Sequence, residues 1–172
     1  GAISLTATND INITGDLYSS SESNSGAGQG GTISLTAANG SITTGELNSS
    51  SYTFDGNAHR GGAISLTAAN NIFIEGNLYS FSYSNTATAS EGGAIFLIAR
   101  SGDIVGIPFK SFDKVRSPVL GSFSISERGT AGNGGNVVIE AKNNVSNLEI
   151  LTLSSDSQSG AVQVTGLRDL LL

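Results

Sequence analysis

The chain has 172 residues, 23 of them glycine and 2 proline, with 13% charged residues and no cysteine, methionine or tryptophan. A net charge of -6 argues against a nucleic-acid partner, because meeting phosphate takes a basic stripe and none is present. Zero cysteine excludes a disulfide framework, and no apolar run approaches the roughly 20 residues of a membrane span.

The chain opens on GAISLTATND at Gly1 and repeats it as GTISLTAANG at Gly31, GAISLTAANN at Gly62 and GAIFLIARSG at Gly93. Fainter echoes begin at Gly135 and Gly160. A strict period of this kind marks a solenoid, in which each repeat buries its apolar face only by stacking on the next. The opening lies inside the repeat pattern, so we read the chain as a segment of a longer protein. The first element of each repeat alternates apolar and polar residues: Ile3, Leu5 and Ala7, then Ile33, Leu35 and Ala37, then Ile64, Leu66 and Ala68, then Ile95, Leu97 and Ala99. Period-two alternation means a strand with these side chains inward and Ser4, Thr6, Ser34, Thr36, Ser65 and Thr67 outward.

A second short strand follows, with Ile11 and Ile13 or Ile72 and Ile74. In repeats two and four its phase slips by one, to Ile42 and Ile104. A one-residue slip reverses the faces unless a bulge or an altered bend absorbs it. Gly15, Gly45 and Gly76 mark a corner, and a third strand starts at Leu17, Leu47 and Leu78. The closing polar tract, such as SSSESNSGAGQGG, has the composition of a loop. Asn9, Asn39, Asn70 and Asn143 share one bend position, where amides can hydrogen-bond up a stack, and Ser19, Ser49 and Ser80 share another. Short strands without helices, in tandem at about 31 residues, predict an all-β, right-handed parallel β-helix with coils about 4.8 Å apart. We read residues 1–172 as one such segment, with an inserted excursion at about 106–134.

The GGxISLTAxNxIxxGxLxS units with Ser- and Gly-rich connectors resemble the β-helical repeats of filamentous haemagglutinin-type exoproteins, in the style of large cyanobacterial members. The resemblance covers residues 1–105 well and 135–165 loosely. It implies a secreted or cell-surface protein that passes an outer-membrane pore by two-partner secretion and serves in adhesion, with surface glycans or host and cell-surface receptors as partners. The family's secretion determinants lie in an N-terminal domain absent here, so no functional residue carries over.

The pattern breaks in the fourth repeat, where the next glycine start comes 42 residues on. The excess falls in a segment holding both prolines, several phenylalanines and the densest charge cluster, and the outward Ser and Thr become Phe96 and Ile98. An apolar outward pair calls for a cover, so Phe109, Phe112, Val119 or Phe123 is expected to fold back on it. Phe109, Phe112, Lys114 and Arg116, with the stacked positions Arg100 and Lys142, form the candidate interaction surface.

Polysaccharide lyases and hydrolases on β-helices need carboxylates clustered beside a base. The nearest match is Arg100 and Lys142 with Asp103, Glu140 and Asp113, which makes a polysaccharide-processing β-helix the alternative; a passive surface-layer or matrix spacer is the third reading. We assign no catalytic residue, no cofactor and no metal. His59 stands alone in a loop, Asp16 and Glu46 are followed by Asn77 at their shared position, and no phosphate loop follows the glycine-rich stretches. The hydroxyl array on the first strands would suit an ice-binding face, but it ends at Phe96 and Ile98.

Overall fold

In the computed structural model, which describes residues 1–111, 114–156 and 158–166, the chain is all-β, with stacked parallel strands in aligned sheets. This is the arrangement expected of the parallel β-helix. The first sheet has six strands: Ile3–Ala7, Ile33–Ala37, Ile64–Ala68, Ile95–Ala99, Val137–Ala141 and Val162–Thr165. Its register sets Ile3 on Ile33, Ile33 on Ile64, Ile64 on Ile95 and Ile95 on Val137, so like side chains form inward ladders. The second sheet stacks Ile11–Ile13, Ile42–Thr44, Ile72–Ile74, Ile104–Gly106 and Val145–Ser146. The third stacks Leu17–Tyr18, Leu47–Asn48, Leu78–Tyr79, Val119–Gly121 and Glu149–Leu151. Ile33, Leu35, Ile42, Leu47, Ile64, Leu66, Leu78, Ile95, Leu97 and Ile104 are fully buried, the equivalents in the end coils less so, and the buried cluster is aliphatic.

The one-residue slip is absorbed in the bend. Ile42 pairs with Ile11 and Ile72, and Ile104 pairs with Ile72, so the faces do not reverse. The extra residue is Gly40 or Gly102. A methyl on Gly40 would lie 2.4 Å from the Asn9 carbonyl carbon, so only glycine lets the longer bend stack on the shorter one.

The closing polar tract differs from the loop expected of its composition. Ser21–Ser23, Ser51–Thr53, Ser82–Ser84 and Ser124–Ser126 form a fourth parallel sheet. Their inward side chains are hydroxyls: Ser51, Thr53, Ser82, Ser84 and Ser124 are fully buried. They face the returning chain rather than an apolar layer, and each finds a carbonyl there. Ser51 Oγ donates to Gly28 O at 2.8 Å, Ser84 Oγ to Gly56 O at 2.8 Å and Ser126 Oγ to Ala87 O at 2.6 Å. Burial of a hydroxyl is tolerated when it is bonded, so one wall of the interior is built from serine and backbone instead of hydrocarbon. The returning chain is itself stacked through bridges between Ala27, Ala58, Ala89 and Ala131.

A glycine pair then leads into the next coil. The Gly62 N–H donates to Ser49 O at 2.6 Å, and the Ser49 hydroxyl donates to Gly62 O at 2.7 Å. The Ser80 hydroxyl also donates to Gly62 O, and Ser122 and Ser19 donate likewise to Gly93 O and Gly1 O, so the Ser19, Ser49 and Ser80 column bonds along the stack. A methyl on Gly62 would meet the Gly31 carbonyl oxygen at 2.1 Å, which the coil spacing does not allow.

Candidate functional site

Outward side chains gather in three places: the bend after the first sheet, an inserted hairpin, and the face made by the third and fourth sheets.

At the bend, Arg100 and Lys142 follow the paired residues Ala99 and Ala141 and so stack on one another, both exposed. Asp103 is engaged structurally. Its N–H donates to Asn71 Oδ1 at 2.8 Å, and its Oδ1 accepts the Asn144 N–H at 2.9 Å. The same handover runs from Asp10 Oδ1, which accepts the Ser41 N–H at 2.7 Å, to Ser41 Oγ, which accepts the Asn71 N–H at 3.2 Å. The continuous polar ladder therefore lies near the expected asparagine position. The expected amides add to it, Asn70 Nδ2 donating to Asn39 O at 3.1 Å and Asn143 Nδ2 to Ser101 O at 3.4 Å. Glu140 sits outward on the first sheet, paired with Ile98 and exposed.

Within 106–134, Phe109–Ser111 and Lys114–Arg116 form an antiparallel hairpin, pairing Phe109 with Arg116 and Lys110 with Val115. Val119–Gly121 and Ser124–Ser126 lie in the stack, with Leu120 on Leu78 and Ser124 on Ser82. Both legs of the hairpin are tied to the third coil: the Ile107 N–H donates to Ile74 O at 2.7 Å and the Val119 N–H to Asn77 Oδ1 at 3.0 Å. Lys110, Lys114, Arg116 and Val115 are exposed. Phe112 and Asp113 lie outside the described residues.

Among the described residues, none of Phe109, Val119 and Phe123 forms the expected cover over Phe96 and Ile98. Phe96 remains 38% exposed. Phe109 borders a cleft of about 280 Å³ walled by Thr14, Asp16, Glu46, Glu75 and Asn77, at the corner between the second and third sheets. Phe123 stacks on Phe81 and Val119 pairs with Glu149. The hairpin leaves the coil after the second sheet, so Phe109 falls on that corner and not on the first sheet.

The third site was missed from sequence. On the third sheet the outward column runs Tyr18, Asn48, Tyr79 and Gly121, and on the fourth it runs Glu22, Tyr52, Tyr83 and Ile125. Phe81 and Phe123 lie between them. Tyr52 and Tyr83 stack with centroids 4.9 Å apart, Phe81 and Phe123 stack at 4.7 Å, and Tyr79 meets Phe81 edge-on at 6.1 Å. A methyl on Gly121 would lie 2.8 Å from the Tyr79 ring, so glycine in the column makes room for the cluster. Carboxylates hold the hydroxyls at the edge. Tyr83 donates to Glu127, which pushes its phenol up to about 12. Tyr18 donates to Glu46 Oε1 at 3.2 Å, and the Glu46 charge, with that of Asp16, raises the Tyr18 phenol. Burial pushes the Glu46 carboxyl up and Asp16 adds to it, against the opposing Tyr18 hydrogen bond. The signal for this face was the alternation SYT and SYS, whose inward serine disguised it as loop.

No family model, curated protein or solved structure matches this chain.

Proposed function

We propose that the chain is a structural and adhesive segment of a secreted or cell-surface exoprotein of the filamentous haemagglutinin type. The observation that supports this reading is the division of labour between inside and outside. Isoleucine, leucine, alanine and serine fill the interior, while every tyrosine stands on one outer face of a stack that register holds rigid. Such a body presents side chains at fixed spacing along its length and needs no moving part. The polar ladder at the bend engages Asp103 in backbone bonds, which favours a structural role for that carboxylate over an acid–base one. Surface glycans or cell-surface receptors are the partners this reading assigns, with an outer-membrane pore serving export of the parent protein. Retention of the purified, labelled protein on intact cells tests it. Saturable retention, weakened when residues 108–117 are replaced by a short turn, is the expected result; failure to saturate any cell surface would make the segment a spacer.

A further inference from the structure

Among the described residues, no aromatic side chain is used for the core. The buried cluster holds only aliphatic side chains, whereas Tyr18, Tyr52, Tyr79, Tyr83, Phe81 and Phe123 share one outer face. Aromatic rings are the side chains that gain most from burial, so a face that leaves Tyr18 at 55% and Tyr52 at 40% exposure withholds that gain from the fold. The cluster is also preformed: stacked and edge-on contacts hold its rings, so little rotamer freedom would be lost on contact with a partner.

The charged side chains on the described strands of this face are all acidic. Glu22 pairs in register with Tyr52, Glu46 and Glu127 hold the Tyr18 and Tyr83 hydroxyls, and Glu149 continues the third sheet beyond Val119. Glu22, Glu127 and Glu149 are exposed. No lysine or arginine occurs on any described strand of the third or fourth sheet; Arg128, beside Glu127, and Arg116, which lines a cleft with Glu149, are cations at its border. Aromatic rings framed by carboxylates attract cations twice, through the ring quadrupole and through direct pairing. Guanidinium suits this better than ammonium, because its plane stacks on a ring while its fork meets a carboxylate.

We infer that the face formed by the third and fourth sheets docks a cationic, arginine-bearing segment of a partner protein. The inference stands on the geometry of this face and goes beyond the adhesive reading; it could fail while cell retention holds. An acidic polymer is disfavoured by the same carboxylates.

The test is a titration of the purified protein with a dye-labelled octapeptide of alternating Arg and Leu, read by fluorescence anisotropy beside its Glu–Leu counterpart and a neutral hexasaccharide. Saturable binding of the Arg peptide alone is expected, weakening with salt. Tyr52→Ala with Tyr83→Ala should weaken it about threefold or more, the worth of a lost cation–π contact. Glu22→Gln with Glu127→Gln, on exposed positions that do not carry the core, should weaken it as well. Glu140→Gln on the first sheet should leave it unchanged. Equal weakening by Glu140→Gln would reduce the effect to net charge and overturn the inference. So would equal binding of the two peptides, or binding of the hexasaccharide alone, which would make the face a saccharide platform.

Discussion

Two buried hydroxyls in this interior should respond to deletion with opposite sign. Thr44 takes the inward slot that Ile13 and Ile74 fill in the coils on either side, and it is fully buried. Its Oγ1 has no hydrogen-bond partner. An unsatisfied buried hydroxyl costs about 1–3 kcal/mol, and valine has nearly the same shape without it. Thr44→Val should therefore stabilise the fold by roughly 1–2 kcal/mol, since some relaxation already offsets the cost. For a chain of this size that is a rise in melting temperature of about 2–4 °C per kcal/mol. Ser84 is equally buried but fully engaged, donating to Gly56 O at 2.8 Å and accepting the Ala87 N–H at 3.0 Å. Ser84→Ala removes both bonds and strands a buried N–H, which should destabilise by about 1–3 kcal/mol. Urea melts of both variants followed by circular dichroism measure the pair. A neutral or destabilising Thr44→Val together with a harmless Ser84→Ala would refute the reasoning, because water would then be reaching hydroxyls we describe as sealed.

Gly62→Ala should destabilise by about 3 kcal/mol or more, or prevent folding, because its methyl meets backbone oxygen rather than a side chain that can turn aside; soluble yield and melting temperature report this. In a pH titration of tyrosinate absorbance, one phenol, Tyr83, should ionise last, near 12. Its native-state value lies above the unfolded value near 10, so its contribution is intact below about 10 and lost as pH rises through about 12, and Glu127→Gln should bring that step down. The Glu46 carboxyl is also raised in the folded state, so it disfavours folding once ionised. Stability of the native protein should therefore fall relative to Glu46→Gln as pH rises from about 4.5 towards neutrality, and equal pH profiles for the two would contradict the burial assigned to that carboxyl.

The first sheet was legible because its inward residues are Ile, Leu and Ala against outward Ser and Thr, an alternation that admits one reading. The second and third sheets followed from isoleucine and leucine at fixed distances. The fourth was not legible, because its inward residues are Ser and Thr, which pay for burial by bonding carbonyls of a segment whose position depends on the whole coil. With that strand read as loop, the columns Tyr18–Asn48–Tyr79 and Glu22–Tyr52–Tyr83 could not be lined up, and the aromatic face stayed hidden. The fate of the insertion was missed for a different reason. Composition showed that Phe109 needs apolar contact, but the corner from which the hairpin leaves decides which surface it reaches.

The measurement that tests the account most directly incubates the purified protein with a panel of intact cells and polysaccharides, then counts bound protein and newly released chain ends in the same samples. Saturable binding with no released ends is the predicted result for a segment that displays and holds. Release of new chain ends, abolished by Arg100→Ala or Asp103→Ala, would contradict it and make this β-helix an enzyme.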